Sequence, residues 1–391
     1  MINILVISHN QKGWTYETLF NEHQLLRNKG SCKYFFWGPG YDLETNDVLE
    51  IIEKYKIKKI FFDIIYICQS QQDLIGKYKF DHLPKNFYKK KFNYFPINLH
   101  KVNIPKVLLV GDFWIINKYE WEYIFKKFDI KYALSIVLNH YAPPKINKNF
   151  LSEFTKKNVK FFPYVRTIPE YPKIKKNKKK YDFVSLGEKE IKFYPNRLFF
   201  ENILKKNYSN EDNKIITAGH PGYKYNNNDK KKYFGTRYLK LLSQSHFMIT
   251  DTTDLNIPLI KHLECMYYGC VMICDKIYYE KKNKLKNGYN YIQIDRKNVD
   301  RTIKYLKKNK NNMIKIRKNA FKTYQDYYSN KIFVKRVESY FKLIANDHNK
   351  KIYNFDIIDK FTLKFKILML NIIKIIKKIF YKLLRIKKFV Y

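Results

Sequence analysis

Short, continuous apolar runs separated by amphipathic stretches constrain this chain more than any other feature. In the first half, Ile2–Ser8, Lys33–Trp37, Lys59–Tyr66, Lys106–Gly111, Tyr132–Leu138 and Val159–Pro163 are rich in Ile, Val, Phe and Tyr and do not alternate with polar residues. Such runs suit strands buried on both faces, as in a parallel sheet covered by helices. Between them, Thr15–Lys29 and Asp47–Lys56 carry helical spacing, with Leu19, Leu25, Leu26 and Val48, Ile51, Ile52 facing inward. The alternation predicts a doubly wound α/β unit. A second series follows, with strands at Tyr181–Leu186, Ile215–Ala218, Phe247–Thr250, Val271–Cys274 and Tyr291–Ile294. Its helices fall at Tyr194–Lys206, Thr236–Gln244, Pro258–Tyr268, Asn298–Lys308 and Met313–Asp326. The expected fold class is therefore α/β with two Rossmann-like units, residues 1–165 and 181–330. Residues 166–180, with two prolines and the run KIKKNKKK, read as a solvated linker. Ile332–Ala345 predicts a closing helix within 331–354, and 355–391 forms a separate tail.

Composition narrows the function classes. The chain has 391 residues with 45% hydrophobic and 18% aromatic content, which excludes a disordered polymer. Its 77 basic and 35 acidic residues give a net charge of +42. That excess invites nucleic acid, an anionic membrane or a phosphorylated substrate. The lysines are spread along the whole chain, so charge alone selects none of these. Glycine, at 12 of 391, is about half its usual frequency, so each one present marks a place where a side chain is poorly tolerated.

Five cysteines with no C-x-x-C pair suggest a reduced, cytosolic protein without a disulfide framework. His262 with Cys265, Cys270 and Cys274 has loose metal-ligand spacing, but the last two alternate along a buried strand and read as apolar filling. MINILVIS runs directly into polar residues, unlike a signal peptide. The longest stretch without Asp, Glu, Lys or Arg, Tyr132–Pro144, has thirteen residues and is too short to span a bilayer.

The tail differs from the rest. Residues 361–391 hold nine Lys/Arg and no acid. On a helical wheel Lys364, Lys374, Lys377, Lys378, Lys382, Arg385 and Lys388 share one face, and Ile372, Ile375, Ile376, Ile379, Leu383 and Ile386 the other. This is the pattern of a basic amphipathic helix lying in an anionic membrane interface. A final helix docked on the second unit is the competing reading.

Several chemistries lack their signatures: there is no G-x-G-x-x-G, no G-x4-G-K-[ST], no H-E-x-x-H, no G-x-S-x-G and no Asp-x-Asp pair. The informative stretch is Asn256–Cys274, NIPLIKHLECMYYGCVMIC. Pro258 opens a helix, Glu264 lies within it, Gly269 ends it and an apolar strand follows. A helix N-terminus facing a cleft suits a diphosphate, and Glu264 could accept hydrogen bonds from ribose hydroxyls. The plainer alternative is an exposed helix carboxylate beside Lys261.

Glu264–Ile273 resembles the E-x-M-x-x-G-x-P-V-I signature of group 1 GT-B glycosyltransferases, closest to the spore-maturation-protein-like branch, where a Lys or Arg commonly precedes the Glu by three, as Lys261 does. Leu186-Gly187 followed by Tyr194–Arg197, then Ile215–Gly219, Tyr238–His246 and Asn287–Ile292, resemble further pieces of that branch in order. The resemblance covers about 180–330. It implies transfer of a sugar from a nucleotide-sugar donor to a glycan or lipid-linked acceptor, as in surface polysaccharide or lipopolysaccharide biosynthesis. It also implies no cofactor and no metal, and no specific nucleic acid. By position, Glu264 would contact the donor ribose and Arg197 and Lys261 the diphosphate. Gly187 and Gly219 would allow close backbone approach. For Arg197 the alternative is a surface pair with Glu201.

Retaining members carry an acid eight residues before the second Glu, where this chain has Asn256. If the reaction inverts, the first unit must supply a base. Asp112, after the strand Lys106–Gly111, is the first candidate and His9, after the first strand, the second; both follow strand carboxyl ends, where ligands bind in such sheets. Gly13, in the first loop, could admit an acceptor. The expected setting is cytoplasmic, on the inner face of a membrane. Two alternatives stand: a nonenzymatic basic binder of nucleic acid or acidic polymer, and a GT-B protein that has lost catalysis.

Overall fold

A computed structural model describes residues 1–10, 18–41, 45–68, 74, 96–111, 116–136, 151–168, 178–208, 214–219, 233, 235–253, 258–277, 280–281 and 283–347. Gly13, Asp112, Asn256, linker residues 169–177 and the tail 355–391 lie outside these residues.

The first unit is a six-stranded parallel sheet of β1 (Asn3–Ile7), β2 (Lys33–Trp37), β3 (Ile64–Ile67), β4 (Lys106–Val110), β5 (Tyr132–Ser135) and β6 (Lys160–Pro163), in spatial order β2-β1-β3-β4-β5-β6. Its helices are α1 (Thr18–Lys29), α2 (Val48–Ile57), α3 (Lys118–Lys127) and α4 (Glu153–Asn158). The second unit has β7 (Tyr181–Leu186), β8 (Ile215–Ala218), β9 (Ser245–Ile249), β10 (Val271–Cys274) and β11 (Ile292–Gln293), all parallel, in order β11-β10-β9-β7-β8. Its helices are α5 (Arg197–Asn207), α6 (Gly235–Gln244), α7 (Ile260–Tyr268), α8 (Val299–Asn309) and α9 (Ile314–Thr323); a π-helical turn at Tyr324–Tyr328 then leads into α10 (Asn330–Asn346).

Successive side chains of a strand point to opposite faces, so an uninterrupted apolar strand feeds two cores at once. Leu5, Ile7, Ile65, Ile67, Leu108 and Val110 pack with Val48 and Ile51 of α2 and Trp121, Ile124 and Phe125 of α3. Their neighbours Ile4, Val6, Ile64, Tyr66, Val107 and Leu109 face Leu25 and Leu26 of α1. That second face is completed by Phe333, Val337, Phe341 and Ile344 of α10, so the chain returns to the first unit after building the second. The second sheet is layered in the same way: Val184, Leu186, Met248 and Met272 pack with Leu242, Leu263 and Met266, while Phe183, Phe247, Val271 and Ile273 pack with Phe200, Leu204, Ile303 and Leu306.

Several features depart from the sequence reading, α4 among them, which had no counterpart there. β3 begins at Ile64 instead of Lys59, because α2 ends in a tight turn: Lys59 takes φ +58 and the Ile60 N–H donates back to the Tyr55 carbonyl. Helix α3 had no counterpart, although its start is marked by a reciprocal cap. The Asn117 side chain accepts from the Glu120 N–H, and Glu120 accepts from the Asn117 N–H. The stretch read as a solvated linker is packed at both described ends. Thr167 is fully buried, and Arg166 pairs with the buried Glu22 carboxylate at 3.2 Å. Lys179 donates to the carbonyls of Ser243, Ser245 and Gly269 at 2.7–3.0 Å, closing the carboxyl ends of α6 and α7.

Candidate active site

In each sheet the strand order reverses once, between β1 and β3 and between β7 and β9. The carboxyl ends of strands at such a switch point frame the natural ligand crevice of a doubly wound sheet. In the first unit that end carries the buried Ser8 and His9. In the second it carries Leu186-Gly187 after β7 and Thr250–Thr253 after β9.

Gly187 is the geometric centre of the second site. Its φ of +119° is a conformation that other residues adopt only with strain. A Cβ there would lie 2.0 Å from Lys261 Nζ and 3.2 Å from Arg197 Nη1. The two cations that the sequence proposes for the diphosphate therefore meet at the glycine proposed for close backbone approach. Lys261, the second residue of α7, donates to the Leu186 carbonyl. Arg197, at the start of α5, is 2% exposed, and its Nη1 donates to the Glu188 carbonyl at 2.6 Å.

The pairing of Arg197 with Glu201 is not what the structure contains. Arg197 Nη2 lies 2.8 Å from Oδ1 of the fully buried Asp251, and Asp251 Oδ2 also accepts from the Arg197 and Asn196 N–H groups at 3.1 and 3.3 Å. The guanidinium carbon sits 3.9 Å from the Tyr194 ring centroid. Glu201 instead takes Lys189 at 2.7 Å, Lys205 at 2.8 Å and the Ser185 hydroxyl. A buried cation needs a buried counter-charge, and Asp251 supplies it where Glu201 is already saturated. Asp275, after β10, accepts from the Thr252 N–H and hydroxyl and from Asn196 Nδ2, tying the ends of β9, β10 and α5 together. Thr253 is held at φ +75°, which for a β-branched residue is a strained conformation of the kind that collects at functional sites.

Electrostatics follow from this packing. Burial and the adjacent Arg197 charge pull Lys261 down to about 7. Burial raises the Asp251 carboxyl, opposed by Arg197. His262 Nδ1 accepts from the Leu259 N–H at 3.2 Å, and burial with the charges of Arg197 and Lys261 holds it down to about 3. The imidazole is thus a neutral clamp on the start of α7, behind Pro258, and adds no cation.

Glu264 is half-buried, and its Oε2 accepts from the Tyr238 hydroxyl of α6 at 2.7 Å. Burial pushes its carboxyl up, while Tyr238 and Lys261 pull it back. Gly269 ends α7 in the left-handed region, as its place in the sequence suggests. Gly219 follows β8 in open space, with no described atom within 4 Å of a Cβ placed there. Cys265 points away from any ligand role, 3.4 Å from Met248, and Cys270 and Cys274 are buried in the core.

Asp251, Asp275 and the Tyr238–Glu264 contact were not singled out from sequence. The signal for Asp251 was present: it is the first acid after an apolar strand, the same position that marks Asp112 in the first unit.

No protein-family model and no curated protein matches the sequence. Solved structures do match in fold. A glycosyltransferase from Rickettsia africae ESF-5 superposes with a TM-score of 0.50 at 12% identity, covering 88% of this chain and 98% of that one. Anabaena Alr3699/HepE in complex with UDP-glucose gives 0.51 at 10% identity, covering 88% and 100%. Its complex with UDP and glucose gives 0.50 at the same identity and coverage. Over most of its length the chain has the GT-B fold, two Rossmann-like units each built on a parallel sheet, that these structures share.

Proposed function

We propose that this chain is a glycosyltransferase that moves a sugar from a nucleotide-sugar donor to a glycan or lipid-linked acceptor in surface polysaccharide biosynthesis. The observation that carries the reading is the convergence of Lys261 and Arg197 on Gly187 at the switch point of the second sheet. The motif order around Glu264, which resembles the group 1 and spore-maturation-like transferases, supports it. So does the bound UDP-glucose of Anabaena HepE, which makes a uridine donor the first to test.

In this reading the diphosphate lies beside the Lys261 ammonium, which rests against Gly187. Lys261 supplies the mobile proton and charge, and the start of α7 supplies free N–H groups. Arg197, its charge balanced by the buried Asp251, sits beneath and holds the Glu188 carbonyl of the loop. Glu264 Oε1 is left to accept from ribose hydroxyls while Tyr238 holds Oε2. The acceptor hydroxyl oxygen bonds to the anomeric carbon, the bond from that carbon to the phosphate oxygen breaks, and the nucleoside diphosphate leaves with the electron pair. Its developing charge falls on Lys261 and Arg197, so turnover without a divalent ion is expected. The acceptor proton goes to Asp112 or His9. Asn256, Pro258 and Gly219 complete the donor loops, and Gly13 the acceptor loop. The 361–391 segment would hold the protein peripherally on the inner face of an anionic membrane, where a lipid-linked acceptor resides; vesicle flotation unaffected by its removal would sink that part.

Nucleotide release from UDP-glucose and related donors, with and without a glycan acceptor, tests the activity. Glu264→Ala should abolish it, and His9→Ala or Asp112→Ala should abolish transfer while nucleotide binding persists. Full transfer by Glu264→Ala would overturn the site assignment.

A further inference from the structure

Away from the candidate active site, a groove of about 940 Å³ runs between α10, the end of α1, the end of α7 and the π-helical turn. Its wall is one face of α10: Lys331, Lys335, Glu338 and Lys342 recur at helical spacing and line the groove, with Lys29 of α1 opposite. Lys331, Lys335 and Lys342 are exposed and make no ion pair among the described residues. They stand about 6 and 10 Å apart along the helix axis.

Among the described residues Glu338 is the one acid of the lining, and it does not neutralise them. Its carboxylate is turned inward, accepting from the Cys32 N–H at 2.8 Å, the Ser31 hydroxyl at 2.7 Å and the Tyr34 hydroxyl at 3.3 Å. A Cβ at Gly30 would lie 2.2 Å from Glu338 Oε1, so this glycine-poor chain keeps a glycine where that carboxylate must dock. The groove is thus a cationic trough with a fixed edge. Its floor is aromatic: Tyr267 meets Tyr324 edge-on at 5.0 Å and Phe321 at 6.2 Å, and Phe321 remains 38% exposed.

We infer that this groove binds an acidic glycan, lysines on its carboxylate or phosphate groups and Phe321 against a sugar face. The inference rests on the reading that the chain acts on glycans, and it adds a second, anionic holding site. Tyr267 lies three residues after Glu264 on α7, so the groove begins within one turn of the candidate donor site. A growing chain held there stays beside the reaction. The trough is concave, so a flat membrane would not reach its aromatic floor. Single-stranded nucleic acid needs several free ring faces for successive bases, and here Tyr267 and Tyr324 spend theirs on each other. The chain's own 361–391 segment carries nine Lys/Arg and no acid, so it is repelled by the lysines.

The test is fluorescence anisotropy of a labelled oligogalacturonate against the full-length protein, with neutral dextran, poly(U) RNA and phosphatidylglycerol vesicles as competitors. Lys331→Glu/Lys335→Glu should weaken oligogalacturonate binding about tenfold, with salt having the same sense. Phe321→Ala should weaken it without changing the salt dependence. The UDP-induced thermal shift should be unchanged in both variants, which also shows that they fold. Affinity indifferent to the lysine reversal overturns the inference. So does lysine-dependent binding of RNA or vesicles in place of the oligosaccharide, or equal competition by dextran. Lysine-dependent oligogalacturonate binding in a protein that shows no nucleotide shift would uphold the groove and overturn the donor site.

Discussion

Replacing Gly187 by alanine tests the centre of the site with one methyl group. At φ +119° an alanine is strained by about 1–3 kcal/mol, whatever its surroundings. Its Cβ would also lie 2.0 Å from Lys261 Nζ, forcing the lysine away from the Leu186 carbonyl. Losing a hydrogen bond from a charged donor in a half-buried place costs about 1.5–3 kcal/mol. The expected total is about 2.5–6 kcal/mol, which for a unit of this size lowers Tm by about 5–24 °C. Scanning calorimetry with and without saturating UDP reads both consequences: the lower Tm, and loss of the ligand-induced shift because Lys261 no longer faces the diphosphate. An alanine variant that melts within about 2 °C of wild type and keeps its full UDP shift would refute the reasoning.

Other outcomes follow from the same geometry. Lys261 is pulled down to about 7 and must be protonated to hold a diphosphate. UDP affinity should therefore be greatest below about pH 7 and fall as the pH rises through it; Lys261→Met should flatten that profile, and a flat wild-type profile would contradict it. Asp251→Ala leaves Arg197 buried without its counter-charge and should cost about 3–5 kcal/mol in chemical denaturation. Glu53→Gln breaks the exposed pair with Lys56 and should change stability by less than about 0.5 kcal/mol. Tyr238→Phe frees Glu264 Oε2 and should weaken UDP binding about three- to tenfold by calorimetry while narrowing the preference for UDP over 2′-deoxy-UDP.

Much of this architecture is legible in the sequence. Lys33–Trp37, Tyr181–Leu186, Ile215–Ala218 and Val271–Cys274 read as strands to the residue, because buried parallel strands leave continuous apolar runs with sharp polar ends. Gly187 and Lys261 were picked out only by their resemblance to transferase motifs, and the fold brings the two into contact. What pairing Arg197 makes was not legible. Spacing along α5 points to Glu201, and only the tertiary fold brings Asp251, 54 residues later, under the guanidinium. The same holds for Glu338 of α10, whose partners Ser31 and Cys32 lie some 300 residues earlier. Local pattern carries helices and strands, while long-range charge pairing is decided by packing.

The most direct test of the central claim is thermal unfolding against UDP, GDP, CDP and ADP, with wild type beside Glu264→Ala. A ligand present at about 100 times its Kd stabilises by about 2.7 kcal/mol, a shift of several degrees. The donor-site account predicts that shift with one nucleoside diphosphate, UDP first, and its loss in Glu264→Ala. No shift with any of the four, or a shift that survives Glu264→Ala undiminished, would contradict it.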